Sequence, residues 1–564
     1  MQKTSITILI IYLFFSCIAI GQNLRLKIFG NDDIESRLVD SIGYSKNHKN
    51  YSLISSEIDS VQKKLIKIGF IENESSKIEK ENDSSFLVKI QLKKKYHTIY
   101  IYYDKTNLSK SLLNSVSKKV YPKYFELPIP KIESSLNFIN AEISNSGFPF
   151  SKLSLSNIQT DNNGILKADL ILNSQTEKRD LNNIIIKGYE KFPKPYLKYY
   201  LKIKPNQTFD LNTLKDKAEQ LNNLRFAKQI KSPEVLFTKD STTLYIYVEK
   251  TKSNTFDGFL GFGTNEQTNK LDLNGYLNLN LINTLNYGES FNLQYKSTQS
   301  SQKLFQAEVN MPYILNTPVG LDLQLHIFKQ DSSFTTVNQS VKLNYQINSK
   351  HKLYTGIKTT ESNNLLKTNS YLAVSDYKSN YLTLGYEFRK PQYSNLLFPI
   401  NSNLYIETGF GKRKNSDTSE KQTQLVLDAF KIFNLNQKNS IYLRINGSGL
   451  LSDNYFENEL FRFGGINSIR GFDENSILGT SYGIINTEYR LQLNSTIYIH
   501  SIIDAATFEN KITHTKEKLY AYGFGFGILS NAGLLKLNFA NGKTNTQKFK
   551  FANSQVHLSL TANF

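Results

Sequence analysis

Tryptophan is absent from the 564 residues, methionine occurs twice and cysteine once. That cysteine, Cys17, lies in the first 21 residues, so the chain that follows has no thiol. Disulfides and thiolate catalysis are thereby excluded. Beyond the N-terminal segment no apolar run reaches the roughly 20 residues that a membrane-crossing helix needs, which excludes a polytopic helical membrane protein. Mean hydropathy is −0.39. A membrane β-barrel is not excluded, because its strands are only half apolar. Acidic residues are the minority, 49 against 68 Lys and Arg, for a net charge of +19. The excess is diffuse, with no basic block longer than Lys93-Lys94-Lys95. No nucleic-acid partner is expected, and the charge fits an anionic membrane or acidic polypeptide clients.

Enzyme signatures are missing too. His48, His97, His326, His351, His500, His514 and His557 never fall at metal-ligand spacing, and no Gly-x-Ser-x-Gly elbow occurs. Gly258, Gly261 and Gly263, like Gly523, Gly525 and Gly527, open no helix as a phosphate loop must. Neither an enzyme nor a cofactor or metal is expected.

What is present begins with Lys3, an apolar run over 6–20, and Ala19-Ile20-Gly21 before Gln22. A basic start, a short apolar core and small residues at −3 and −1 predict a secretory signal over 1–21, cleaved after Gly21. The protein is expected to be exported.

The next third repeats itself. Ile58, Val61, Leu65 and Ile68 recur at helical spacing before Gly69-Phe70. Ile132, Leu136, Ile139 and Ile143 do so before Gly147-Phe148. Leu211, Leu214, Ala218, Leu221 and Leu224 do so before Arg225-Phe226. Each predicts a helix with one apolar stripe and a turn at its end. Each is followed by an alternating strand, such as Leu244-Tyr245-Ile246-Tyr247-Val248, and preceded by another strand and a weaker helix, such as 183–186 and 196–201. A strand, two helices and two strands in roughly 75 residues make a small α+β module. The pattern resembles the POTRA module of outer-membrane assembly proteins, with Arg225 departing from the glycine of the other two units.

From 251 onward helical periodicity gives way to period-two alternation. Leu382, Leu384, Tyr386 and Phe388 alternate with Thr383, Gly385 and Glu387, one face apolar and aromatic and the other polar. Sixteen such segments are expected, starting near 254, 269, 287, 302, 319, 334, 350, 377, 402, 422, 439, 482, 496, 517, 532 and 553. That leaves roughly 20 residues each, enough for about 10 crossing residues and a connection. An even number closes an antiparallel barrel without free edges, as lipid requires. The expected fold is therefore α+β modules over 22–97, 98–178 and 179–251, then an all-β transmembrane barrel of sixteen antiparallel strands over 252–564.

The longest connection, roughly 452–481, joins the eleventh and twelfth segments. It holds Phe461-Arg462-Phe463-Gly464-Gly465-Ile466-Asn467-Ser468-Ile469-Arg470-Gly471-Phe472. Alternation places Asn486, Glu488 and Arg490 opposite Tyr489 and Leu491, and Asp504 opposite Ile503 and Ala505, so both carboxylates should face the lumen. An arginine buried there would cost several kcal/mol unless paired, and a guanidinium fork suits two carboxylates. The loop resembles the sixth outer loop of the BamA/TamA superfamily, whose Arg-Gly-aromatic tip folds into the barrel. The resemblance implies that Arg470 meets Glu488 and Asp504, with Gly464, Gly465, Gly471 and Phe472 shaping a tight tip. It also implies a weak seam between first and last strands, near 256–263 and 556–564. Val556, Leu558, Leu560 and the terminal Phe564 would form an assembly signal, although Ala562 stands where an aromatic is commoner.

Three modules before sixteen strands is the plan of the TamA type. The resemblance therefore implies an outer-membrane factor of a Gram-negative bacterium with its modules in the periplasm. It would act on unfolded outer-membrane or secreted polypeptides, in contact with outer-membrane lipids, and a periplasmic tether protein is a further candidate partner. The alternative is a two-partner secretion transporter exporting one polypeptide through the lumen. Such chains carry two modules and a plug helix, for which a first strand at 24–29 leaves no room. A passive porin would explain neither the modules nor the loop.

Overall fold

The computed structural model describes residues 23–563 except 105–107, 161–164, 174–176, 266–269, 298–301, 367–373, 393–394, 417, 531–532 and 545–553. In strand stretches 259–274 and 558–563 only the backbone path is described. The expected signal segment and Phe564 lie outside the described residues. The chain divides into two compact units, Met1–Arg179 with Thr208–Asp210, and Asp180–Gln207 with Leu211–Phe564.

In the first unit, strand Leu24–Phe29 lies parallel to Ser85–Gln91, and parallel neighbours require a crossover, here helices Asp33–Ile42 and Tyr51–Lys67. Asp32 and Asn50 begin these helices by accepting from the Glu35 and Leu53 amides, at 2.8 and 3.0 Å. Ile54, Ile58, Val61 and Leu65 then bury one stripe against Leu26, Ile28, Val88 and Ile90. Gly69 ends the helix at φ +112°, and the Phe70 amide turns back to the Leu65 carbonyl (3.0 Å). A second sheet repeats the plan. Thr98–Tyr102 lies parallel to Leu166–Asn173, with helix Ile132–Asn145 ended by Gly147 at φ +107°.

The second unit opens with a third sheet of the same kind, Asn183–Gly188 parallel to Thr242–Lys250 and Ala227–Phe237 on the other side. Its first helix is a single wide turn, Tyr196–Tyr200, closed by the Leu201 amide on the Tyr196 carbonyl (2.9 Å). Its second helix stops earlier than the periodicity predicts. Leu211–Glu219 passes into a 3₁₀ turn over Gln220–Asn223. With Arg225 in place of glycine, the left-handed exit used by the other two helices is sterically unfavourable.

Sixteen antiparallel strands follow and close into a barrel. Their starts fall within three residues of the expected positions, from Thr255 to Ser554. On the eighth strand, Tyr377–Pro391, Ser379, Tyr381 and Thr383 are buried toward the lumen while Leu382 and Leu384 point outward. Outward apolar side chains are the surface that a bilayer covers. Closure is uneven. The first strand, Thr255–Asn265, pairs along its whole length with the second, Lys270–Ile282. With the last strand, Ser554–Asn563, it pairs at Thr255–Asn563 and Phe256–Ala562 among the described residues.

Tyrosines join the third sheet's module to the barrel turns beneath it. Tyr189 donates to Asn286 Oδ1 and accepts from Asn283 Nδ2, both at 2.7 Å. Tyr196 donates to the Gly288 carbonyl (3.1 Å), and its ring meets Tyr313 edge-on with centroids 4.9 Å apart.

Candidate functional site at the sixth outer loop

The eleventh strand, Asn439–Leu451, and the twelfth, Ser481–Gln492, pair directly, and the chain between them enters the barrel. Its two limbs form a short ribbon, Phe461–Phe463 against Ile477–Gly479. Between the limbs, Gly464 and Gly471 sit at φ +115° and +80°. A Cβ on Gly471 would fall 2.5 Å from the Gly542 amide nitrogen, and one on Gly542 would fall 2.4 Å from the Gly471 carbonyl. The loop tip therefore lies backbone to backbone against the fifteenth strand, Gly533–Thr544, which only a glycine pair permits.

Apolar packing seats the loop. Phe463 stacks on Tyr482 with centroids 4.6 Å apart and meets Phe508 edge-on at 5.5 Å. Ile469 is wholly buried with Ile484, Leu519 and Ala521, and Phe472 packs against this cluster. Gly465, at φ +93°, turns the chain under it.

Arg470 reaches the wall from this seat. Asn486 of the twelfth strand pairs with Asp504 of the thirteenth, Ile497–Asn510, so Glu488 is the next inward residue diagonal to Asp504. The structure brings Arg470, Glu488 and Asp504 together. Asp504 accepts from Arg470 Nε at 2.9 Å, Nη2 at 2.6 Å and the backbone amide at 3.1 Å. Arg470 Nη1 donates to Glu488. The other Glu488 oxygen accepts from Arg490 Nε at 2.7 Å. Arg490 lies between the rings of Phe398 and Tyr442, 4.3 and 4.0 Å from their centroids. Two cations face two carboxylates, all at most 8% exposed, so the cluster is formally neutral. Neutrality and the shared charge-assisted hydrogen bonds are what make four buried charges tolerable.

Further bonds hold the loop's limbs. Asn486 donates to the Ser468 carbonyl and Arg444 to that of Asn467, each at 2.8 Å. Gln555 of the last strand donates to Asp473 at 2.9 Å. At the outer rim the polarity reverses, since the wall supplies the cation. Arg413, 1% exposed, pairs with Glu420 at 2.6 Å and with the loop's Glu459, under the Phe456 ring.

Sequence reasoning did not find Arg490 as the second cation, Gly542 as the partner of Gly471, or Arg413. Arg490 did carry a signal, standing two residues from Glu488 on one strand face; Gly542 and Arg413 carried none. Of the expected assembly signal, Val556 points outward and is 62% exposed. Leu558 and Leu560 lie in the last strand opposite Leu537 and Leu535, and Phe564 is outside the described residues.

A model of the Omp85 superfamily domain matches residues 283–557, and a POTRA model, described as a surface antigen variable number repeat, matches residues 180–251. The chain carries an Omp85 superfamily domain with a POTRA module before it. CdiB from Escherichia coli is similar in structure, with 14% identity, 90% of this chain and 98% of that one covered, and a TM-score of 0.52. CdiB from Acinetobacter baumannii gives 16%, 84%, 91% and 0.52. BamA from Haemophilus ducreyi lacking POTRA domains 1–3 gives 15%, 82%, 99% and 0.49. At these identities the likeness to the two CdiB structures is one of fold. No curated protein matches the sequence.

With these domains the chain is an outer-membrane insertion or secretion factor of a Gram-negative bacterium, and Omp85 proteins handle polypeptide clients. The superfamily consists of transport and assembly factors rather than enzymes. The POTRA region precedes the first strand, so the barrel turns near Asn283 and Tyr313 are periplasmic and the sixth loop belongs to the opposite, outer end.

Proposed function

We propose that this Omp85 protein assembles outer-membrane proteins, on the three-module plan of the TamA type. Modules over 22–97, 98–178 and 179–251 take up unfolded clients by adding a strand to a sheet edge, which tolerates varied sequence. The barrel then templates or releases client strands through the seam between its first and last strands. The observation that carries this reading is the uneven closure, with pairing among the described residues at Thr255–Asn563 and Phe256–Ala562 against an unbroken ladder between the first and second strands. Opening a short ladder breaks few hydrogen bonds, each worth about 0.5–1.5 kcal/mol net.

In this reading Arg470, Glu488 and Asp504 lock the sixth loop inside the lumen, with Gly464, Gly465, Gly471 and Phe472 fitting the tip to the wall. The lumen is then no free channel, and clients leave by the seam into lipid. Val556, Leu558, Leu560 and Phe564 serve as the chain's own assembly signal. No external energy source is needed, because a client's entry into the bilayer is downhill.

The test is depletion of the protein followed by quantitative proteomics of purified outer membranes. Loss of several unrelated barrel proteins is expected. Loss of one secreted polypeptide with the barrel inventory intact would replace this reading with two-partner secretion.

A further inference from the structure

A cavity of about 250 Å³ lies within the barrel, lined on one side by the loop residues Leu460, Phe461 and Arg462. From the wall, His326, Asn338, Lys358 and Gln424 also line it. None of the residues of the Arg470 cluster does.

The charge of this cavity is unbalanced. Lys358, on the seventh strand (His351–Asn364), donates to the neutral amide of Gln424 at 3.0 Å. Arg462 donates to the Gln330 amide oxygen at 3.4 Å and lies over the rings of Phe328 and Phe334, 5.2 and 5.3 Å from their centroids. Neither cation has a carboxylate within 4.0 Å among the described residues. Glu459, the acidic residue in the lining, is held by Arg413, the Phe456 amide and Gln422. Glu407, near Lys358, is bound by Lys342. Glu457 and Asp331 act on Arg462 only beyond ion-pair distance. This is the converse of the Arg470 cluster, where every buried cation has its carboxylate.

Two half-buried cations that line one cavity, neither with a carboxylate in ion-pair contact among the described residues, forfeit part of their hydration. A counter-ion offsets that cost. We propose that the cavity is an anion site that takes a phosphate group. A phosphate monoester carries about −1.5 to −2 charge near neutral pH and so balances two cations, where a carboxylate would leave one unmatched. The guanidinium provides a fork for two phosphate oxygens and the lysine a point charge. The Phe328 and Phe334 rings steady the fork, and the Asn338 and Gln424 amides add neutral donors. The phosphate comes from a lipid headgroup or from the free ion.

The experiment uses the full chain in a maltoside detergent, titrated with inorganic phosphate and read by phosphorus NMR. Saturable binding is expected, on the order of tenfold weaker in Lys358→Gln/Arg462→Gln and retained in Lys358→Arg. The heat-dependent gel mobility of the folded barrel checks each variant, and Lys358→Gln alone replaces the pair if the double variant does not fold. Repeating the titration in nanodiscs containing lipid A separates the sources. Displacement of phosphate by the lipid assigns the headgroup, and undiminished binding assigns the free ion. No saturable binding, binding unchanged in a folded variant, or equally tight binding of acetate would overturn the proposal.

Discussion

The barrel is gripped at its two ends by different chemistry. In the lumen, the sixth loop is fixed by Arg470 and Arg490 against Glu488 and Asp504. At the periplasmic rim, the third module is fixed by Tyr189, Tyr196 and Tyr199 through neutral hydrogen bonds and ring contacts. Burial pushes the Tyr196 phenol well above its ordinary pKa, so this grip stays uncharged across the physiological range. The difference follows from the surroundings. A lumen lined by polar side chains can supply the partners that a buried guanidinium requires. The turns at the rim offer mainly backbone carbonyls and amide side chains, which a phenol satisfies singly. Charge gives the loop a directional, all-or-none hold, since losing one partner strands another. Rings give the module a hold that weakens by degrees.

The largest effect is expected where the ionic grip is cut on one side. Asp504→Ala removes three acceptor bonds from Arg470 and leaves its charge buried, at a cost of about 3–5 kcal/mol, read as a lower temperature for loss of folded gel mobility. Arg470→Met/Asp504→Leu should recover most of that loss, because Glu488 keeps Arg490. If the double variant is as unstable as the single one, the charge-stranding account is wrong. Gly471→Ala comes next, at about 1–3 kcal/mol, since φ +80° and a contact 2.5 Å from the Gly542 nitrogen both resist a side chain. Cysteine cross-linking between loop and wall should report a displaced tip.

At the rim, Tyr196→Phe keeps the ring and loses one hydrogen bond. It should cost about 0.5–1.5 kcal/mol, seen as moderately faster proteolysis between module and barrel and equally so at pH 6 and pH 8. A cost as large as that of Asp504→Ala would erase the contrast between the two grips. Smallest of all, Lys228→Ala breaks an exposed pair with Glu249 and should change stability by about 0–1 kcal/mol in the same assay.

Much of this architecture is legible in one dimension. The strands announce themselves because a lipid face and a polar lumen face must alternate at period two, which also marks Glu488 and Asp504 as inward. The helices of the α+β modules announce themselves by apolar stripes and the Gly-Phe turns at 69–70 and 147–148. Helix Leu211–Glu219 ends before its apolar stripe does, because Leu224 continues the stripe past the point where the backbone has already tightened. The Tyr196 contact with the Gly288 carbonyl and the Gly471 contact with Gly542 left no trace in local pattern, since each joins segments far apart in the chain.

The sequence by itself thus determined which faces of the strands meet lipid, how many strands there are, and which loop is long enough to turn inward. Those properties depend on periodicity and length, which are local. Only the tertiary structure decided which charges are shared. That Glu488 divides its oxygens between Arg470 and Arg490, while Lys358 and Arg462 are left with amides and rings, depends on how strands distant in sequence curve around one lumen. Alternation says that a side chain points inward; closure of the barrel chooses what it finds there.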